Sequence, residues 1–169
     1  MKTLIVLSLS LLCGCGDDQP LREDASERVV EAFEDFRRRL MAGDWAWTID
    51  HMPQDLFPGN TAGFRELRED VERREHLRTP GAQEFAQKVY PSPPQAIHAV
   101  AERHICVLPY TSKIHDEEVY GAEIAVSDDG GATWKFVPAS PEVLEHFREV
   151  LPKFHRVIAP ELEALGIRG

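Results

Sequence analysis

The chain has 169 residues, with 29 acidic against 19 basic side chains and a formal net charge of −10. The acids are spread along its length, which excludes a partner held by broad electrostatic attraction, whether nucleic acid or anionic lipid. Its length suits one domain with a core of its own, and no internal repeat or low-complexity tract divides it.

The first segment reads as an address. Met1-Lys2 gives a short positive start. Leu4–Leu12 gives an apolar run of signal-peptide length, too short to span a bilayer as a mature helix. Leu12-Cys13-Gly14-Cys15 follows and resembles a bacterial lipobox, with Leu12 at −3, Gly14 at −1 and Cys15 as the residue lipidated after cleavage. Cys13 fits less well, because bulky Leu12 would precede it; an ordinary secretory signal is the alternative. The resemblance implies a lipoprotein signal peptide over 1–15, a polar tether over 16–23 and a single domain over 24–169. Acylated Cys15 would then hold the protein in the lipid bilayer. Gly16 stands where an inner-membrane retention Asp is expected, and Asp17 comes one position late. The expected location is therefore the bacterial cell envelope, at the outer membrane if the cell is Gram-negative, with the domain outside the cytoplasm. After cleavage Cys106 is the sole unmodified cysteine, which leaves no intramolecular disulfide. Its apolar neighbours, Ile105, Val107 and Leu108, predict a buried, inert thiol.

Asp24 and Glu27 have the spacing of a capping box. The helix after them carries Val29, Val30, Phe33, Phe36, Leu40 and Met41 on one stripe, and Gly43 is placed to end it. Asp44 is placed to cap a short helix, Trp45–Met52, which Pro53 stops. Trp45 and Trp47 are two apart and cannot share one helical face; one belongs to the core and the other to an opening or the surface. Asn60 or Thr61 starts a third helix with Phe64, Leu67 and Val71, whose charged face holds pairs such as Glu69–Arg73. Thr79-Pro80-Gly81 ends the helical half.

The texture then changes. Phe85–Tyr90 alternates as a first strand, broken by Pro91-Ser92-Pro93-Pro94. Ile97–Ile114 follows with an interruption around Ala101–Arg103, then Val119–Val126, and Thr133–Val137 last. The turn between the last two strands resembles the Asp-box, S-x-D-x-G-x-T-W, through Ser127, Asp129, Gly131, Thr133 and Trp134. In sialidase-like propellers that box recurs once per blade and stabilises a hairpin away from the active site. One copy, in a chain too short for a propeller, implies a structural turn here. Asp128 and Asp129 alone fall short of a calcium loop. Ser140 is placed to cap a closing helix from Pro141, with Val143, Leu144, Phe147, Val150 and Leu151 on its stripe and Pro152 ending it. The tail, with Val157, Ile158, Leu162 and Leu165, is expected to pack back as extended chain or one loose turn.

Helices followed by an antiparallel meander predict an α+β domain: N-terminal helices gathered on one face of a curved antiparallel sheet, and a closing C-terminal helix. Gly43-Asp44, Val107-Leu108-Pro109-Tyr110, Ile124–Val137 and Pro141–Leu144, in that order, resemble the cystatin-like or NTF2-like cone, in particular small bacterial lipoproteins of that type. The resemblance implies a fold more than an activity. Enzymes with this cone hold a polar pair inside the concave face. Residues placed for such a pocket by strand position are His104, Tyr110, Tyr120 and Glu123, with Trp45 or Trp47 on the helical wall; phase decides which of them face in. Glu123 is out of phase with Tyr120, Ala122, Ile124 and Val126; if those face the helices, it faces solvent or a partner. His98 with His104, and His115-Asp116-Glu117-Glu118, lack metal-ligand spacing. There is no phosphate-binding glycine loop and no Gly-x-Ser-x-Gly elbow. The expectation is a lipid-anchored envelope protein acting as a non-catalytic binding module, with no cofactor and no metal, and with an envelope protein or a second copy as partner. A small acid–base lyase or isomerase is the alternative.

Overall fold

The computed structural model describes residues 20–56, 69, 89–114 and 117–167. The leader with Cys15, most of the third expected helix and the start of the first expected strand lie outside the described residues.

Helix α1 (Ala25–Ala42) buries Ala25, Val29, Phe33 and Phe36 along one stripe. The expected capping box does not form. Asp24 makes no side-chain cap; its carboxylate instead meets Arg22 at 3.0 Å and Arg28 at 3.7 Å. At the other end Gly43 takes the left-handed conformation, φ 76°, that lets its own N–H and that of Asp44 close onto the last carbonyls of the helix. Helix α2 (Trp45–Asp50) follows, and the Asp44 carboxylate leans back to Arg39 (3.3 Å) instead of capping it. A 3-10 turn, Gln54–Leu56, buries Leu56.

The strands form one five-stranded antiparallel open sheet in the order β1-β3-β4-β5, with β2 also on β3. Strands β1 (Val89–Pro91) and β2 (His98–Val100) lie end to end along one edge of β3 (Arg103–Ile114). The chain between them carries two residues more than the stretch of β3 it passes. Pro93 and Pro94, which have no N–H for a ladder, sit in that excess. The interruption expected near Ala101 is a tight reversal, Ala101-Glu102, that turns β2 back into β3. Strand β4 (Glu117–Ser127) pairs with β3 from His104↔Ser127 to Ile114↔Glu117. Strand β5 (Lys135–Pro138) covers only Glu123–Val126 of β4. It starts later than expected because Asp129 takes both the N–H and the hydroxyl of Thr133.

Helix α3 (Pro141–Val150) is capped by Ser140, whose Oγ accepts from Val143 N–H. The expected loose tail is instead a full helix, α4 (Pro152–Ala164). Pro152 ends one helix and occupies the first turn of the next, where a missing N–H costs nothing. Phe154, Ile158 and Leu162 recur every four residues and are buried.

Helices cover both faces of the sheet, not one. Ile105, Val107, Ile124, Val126 and Val137 point to α3 and α4, packing on Leu144, Phe147, Phe154 and Ile158. The alternate residues Cys106, Leu108, Ala125 and Phe136, with Trp134 beyond β5, point to α1 and meet Val29, Phe33 and Phe36. A strand buried on both sides reads as a continuous apolar run, as Ile105–Leu108 and Ile124–Val126 do.

Candidate functional site

Polar groups of the sheet interior gather on the α1 face. Glu123 stands on β4 opposite Leu108 and Pro138 and is only 6% exposed. The conditional reading that sends it toward solvent or a partner does not hold: Ala122, Ile124 and Val126 do face helices, α3 and α4, but the other side faces a helix too. Burial pushes the Glu123 carboxyl up to about 7, and the Arg37 charge pulls it partly back.

Tyr110 lies opposite Gly121, with its ring across the glycine. A Cβ there would come within 2.5 Å of the ring, so only glycine leaves the space. From α1, Phe33 stacks on Tyr110 at 5.7 Å and 28°. One helical turn on, the Arg37 guanidinium sits 5.8 Å from the same ring centroid. Burial raises the Tyr110 hydroxyl, and the Glu123 charge raises it further. The site thus joins a carboxyl, a phenol and a guanidinium in a largely dry interface. A carboxyl titrating near 7 can hold or release a proton at neutral pH. Above it, Phe136 fills the interface, 5.4 Å from Phe33 and 5.2 Å from Phe36.

Of the residues placed for a pocket, Glu123 and Tyr110 come together, and the other four do not join them. Tyr110 and His104 share the α1 face, six residues apart on β3. His104 is buried beside Ser127, and its Nδ1 has no hydrogen-bond partner among the described residues. Tyr120 lies on the opposite face and is 74% exposed. Trp45 is exposed on α2. Trp47 packs toward the α1-face core, between the Arg39 guanidinium (4.4 Å from its ring) and the His51 ring (3.7 Å, 15°). Arg37 carries no sequence motif; its only signal is that it follows Phe33 by four residues, on the edge of the buried stripe.

In the Asp-box-like turn, Ser127, Asp129, Gly131 and Thr133 are hydrogen-bonded to one another, while the buried Trp134 Nε1 has no partner among the described residues. Ser127 Oγ donates to Asp129 Oδ1 (2.8 Å) and accepts from Gly131 N–H (2.8 Å). Asp129 accepts from Thr133 N–H (2.8 Å) and Thr133 Oγ1 (2.7 Å), and these bonds hold its carboxyl below the usual range against the opposing effect of burial. Trp134 is buried beneath the turn, and Gly131 (φ +86°) lies so close to α1 that a Cβ would stand 2.9 Å from Ala25. Arg22 N–H donates to Gly130 C=O, and Arg28 to Ala132 C=O. The turn therefore serves as a seat for the start of α1.

Two further clusters tie elements together. Arg103 joins Asp55 and Asp128, and Lys135 also reaches Asp128 (3.3 Å). His98 on β2 lies 2.6 Å from Glu161 on α4. The Cys106 thiol is pushed up to about 12 by burial, which leaves it protonated and unreactive. Among the described residues no group of three His, Cys, Asp or Glu is placed to hold a metal ion, and no helix is long and apolar enough to cross a membrane. Compared with known proteins, the chain matches no family model, no curated protein and no solved structure.

Proposed function

We propose that the protein is a lipid-anchored envelope protein, held in the bilayer through acylated Cys15, whose domain is a non-catalytic binding module of the cystatin-like or NTF2-like cone type. One observation carries the module reading: the α1 face, where a cone would keep its pocket, is filled by Phe33, Phe36, Trp134 and Phe136. α1 lying along one face of the sheet supports the cone arrangement; α3 and α4 on the far face are an addition to it. The anchor reading rests on the Leu12–Cys15 motif. It is tested by fractionating cells that express the unaltered protein or Cys15→Ser, with labelled palmitate in the medium. The unaltered protein should carry label and sediment with membranes, and the variant should do neither. A variant that stays processed and membrane-bound would overturn the anchor.

The acid–base alternative has one observation in its favour, the Glu123 carboxyl titrating near neutrality beside Tyr110. Substrate would have to part α1 from the sheet to reach it. An enolisable carbonyl compound that exchanges its α-proton with solvent in the presence of the unaltered protein, and not of Glu123→Gln, would decide for that alternative.

A further inference from the structure

Strand β4 is covered unevenly along its outer edge. β5 pairs with Glu123–Val126, and Ala139 N–H donates to Ala122 C=O at 3.1 Å. Beyond Ala122, no described residue pairs with that edge over 117–121. The Ala122 bond fixes the parity. In an antiparallel ladder, alternate residues aim their main-chain groups to the same side, so Tyr120 and Glu118 also aim theirs outward. Residues 118–120 within it are exposed, Tyr120 at 74% and Val119 at 41%. It contains no Lys, Pro or bulge of the kind that blunts an edge; its protection is an acid, Glu118.

We propose that this edge pairs with the same edge of a second copy, antiparallel, about a two-fold axis at Val119. Parity and charge together select that register. Outward groups must meet outward groups, so the axis falls at 118, 119 or 120. An axis at 118 sets Glu118 against its own copy, and like charges directly opposite are destabilising. An axis at 120 needs Ala122, whose carbonyl already accepts from Ala139. At 119, Glu118 of each copy falls opposite Tyr120 of the other, and position 117 opposite Gly121, so no acid faces an acid. The two reciprocal pairs use the main-chain N–H and C=O of both outward residues in each copy. The Tyr120 hydroxyl, which already donates to Glu118 of its own chain at 3.3 Å, gains a second carboxylate beside it. Val119 meets its copy in a non-hydrogen-bonded pair, where side chains approach most closely. The pairing does not depend on the lipid anchor; an anchor would strengthen it by raising the local concentration.

Cysteine cross-linking of the full chain in detergent tests the register. Facing Cα atoms of a non-hydrogen-bonded antiparallel pair lie roughly 4.5 Å apart, within disulfide reach. Under mild oxidation Val119→Cys should give a disulfide-linked dimer well above the background set by the unaltered chain and its own cysteines. Lys113→Cys, exposed on β3 one strand further from the axis, should stay at background. In sedimentation over a dilution series the unaltered chain should pass from dimer to monomer. Val119→Lys should lose the dimer, because it places two cations face to face at an exposed position, and at dilutions where the unaltered chain is a monomer the two should melt at the same temperature. Equal linking at 113 and 119, an unaltered chain that is monomeric throughout the series, or a Val119→Lys protein that still dimerises would each overturn the proposal.

Discussion

The two faces of the sheet are built from alternate residues of the same strands, yet they are different materials. The face under α3 and α4 is apolar from Ile105 to Val137, and its ion pairs, His98–Glu161 and the Arg103–Asp128 cluster among the described residues, stand at the margin. The face under α1 has an aromatic centre but carries Glu123, Tyr110, His104, Ser112 and Ser127 in the same layer. The difference teaches where the fold tolerates polarity. Two hydrophobic helices are joined by a single residue, Leu151, and clamp the first face. The second is covered by α1, seated at its start by the Ser127–Trp134 turn, with Trp47 of α2 packed against it. Buried polar groups cost stability unless partnered, and burial pushes the Glu123 carboxyl on the α1 face up to about 7, so that face carries a pH-dependent contribution to stability.

The largest test weighs the two aromatic centres directly. Phe33→Ala on α1 and Phe147→Ala on α3 each remove a fully buried ring. Each should cost about 3–5 kcal/mol in urea unfolding. Near-equal losses, with the slope of the transition unchanged, would mean that α1 is as integral to the core as the α3–α4 pair. A loss from Phe33→Ala several-fold smaller than from Phe147→Ala would make α1 a loosely docked cover and would break the picture of a filled interior.

A second test reads the polarity itself. Glu123 ionises near 4.5 when unfolded and near 7 when folded. Below about pH 4.5 it is protonated in both states and contributes its full share of stability. As pH rises toward 7 the unfolded chain releases the proton first, so stability is lost progressively; above about 7 the loss is complete. The gap corresponds to about 3 kcal/mol. Glu123→Gln cannot ionise, so it should flatten this part of the pH profile between pH 5 and 8 whatever offset the amide introduces. The measurement is the unfolding free energy of both proteins across that range. A slope that survives in Glu123→Gln would assign it to another group and remove the distinction between the faces.

Much of this arrangement was legible in the chain. The helical stripe from Val29 to Phe36, the β4–β5 hairpin and the Ser140 cap each follow from local periodicity or a single side-chain acceptor. What escaped was the second layer. The alternation of Tyr120, Ala122, Ile124 and Val126 reads as one buried face, while Ala125 and Cys106 complete runs that are apolar on both sides. Glu123 interrupts such a run, and a single charged residue in a strand carries no mark of whether a helix waits above it. Helix α4 was hidden by Pro152 and Pro160. One occupies a first turn, where proline is favoured; the other, Pro160, stands inside the helix, where it removes one backbone hydrogen bond while Ile158 and Leu162 on either side stay buried. Of the candidate site, Tyr110 and His104 were recoverable from strand position. Arg37 was not, because it reaches the site along the flank of the stripe and not within it.

The smallest expected effect lies where both faces begin. The Ala101-Glu102 turn launches β2 into β3, and with it Val100 toward the α3–α4 face and Ala99 toward the α1 face. Ala101 is the only described residue other than glycine with a positive φ, 56°. A left-handed alanine costs roughly 1–2 kcal/mol, because its Cβ crowds the following carbonyl. Glycine removes that crowding but adds freedom to the unfolded chain, which returns about 0.4–1 kcal/mol. Ala101→Gly should therefore stabilise the protein by about 0.5–1 kcal/mol, the difference between those two contributions. Since the turn serves both faces, the gain should appear equally when unfolding is followed by the fluorescence of Trp134, under α1, and by a probe attached on α4. A gain confined to one probe would show the two faces coming apart separately, and the sheet would then be a hinge between them instead of a shared core.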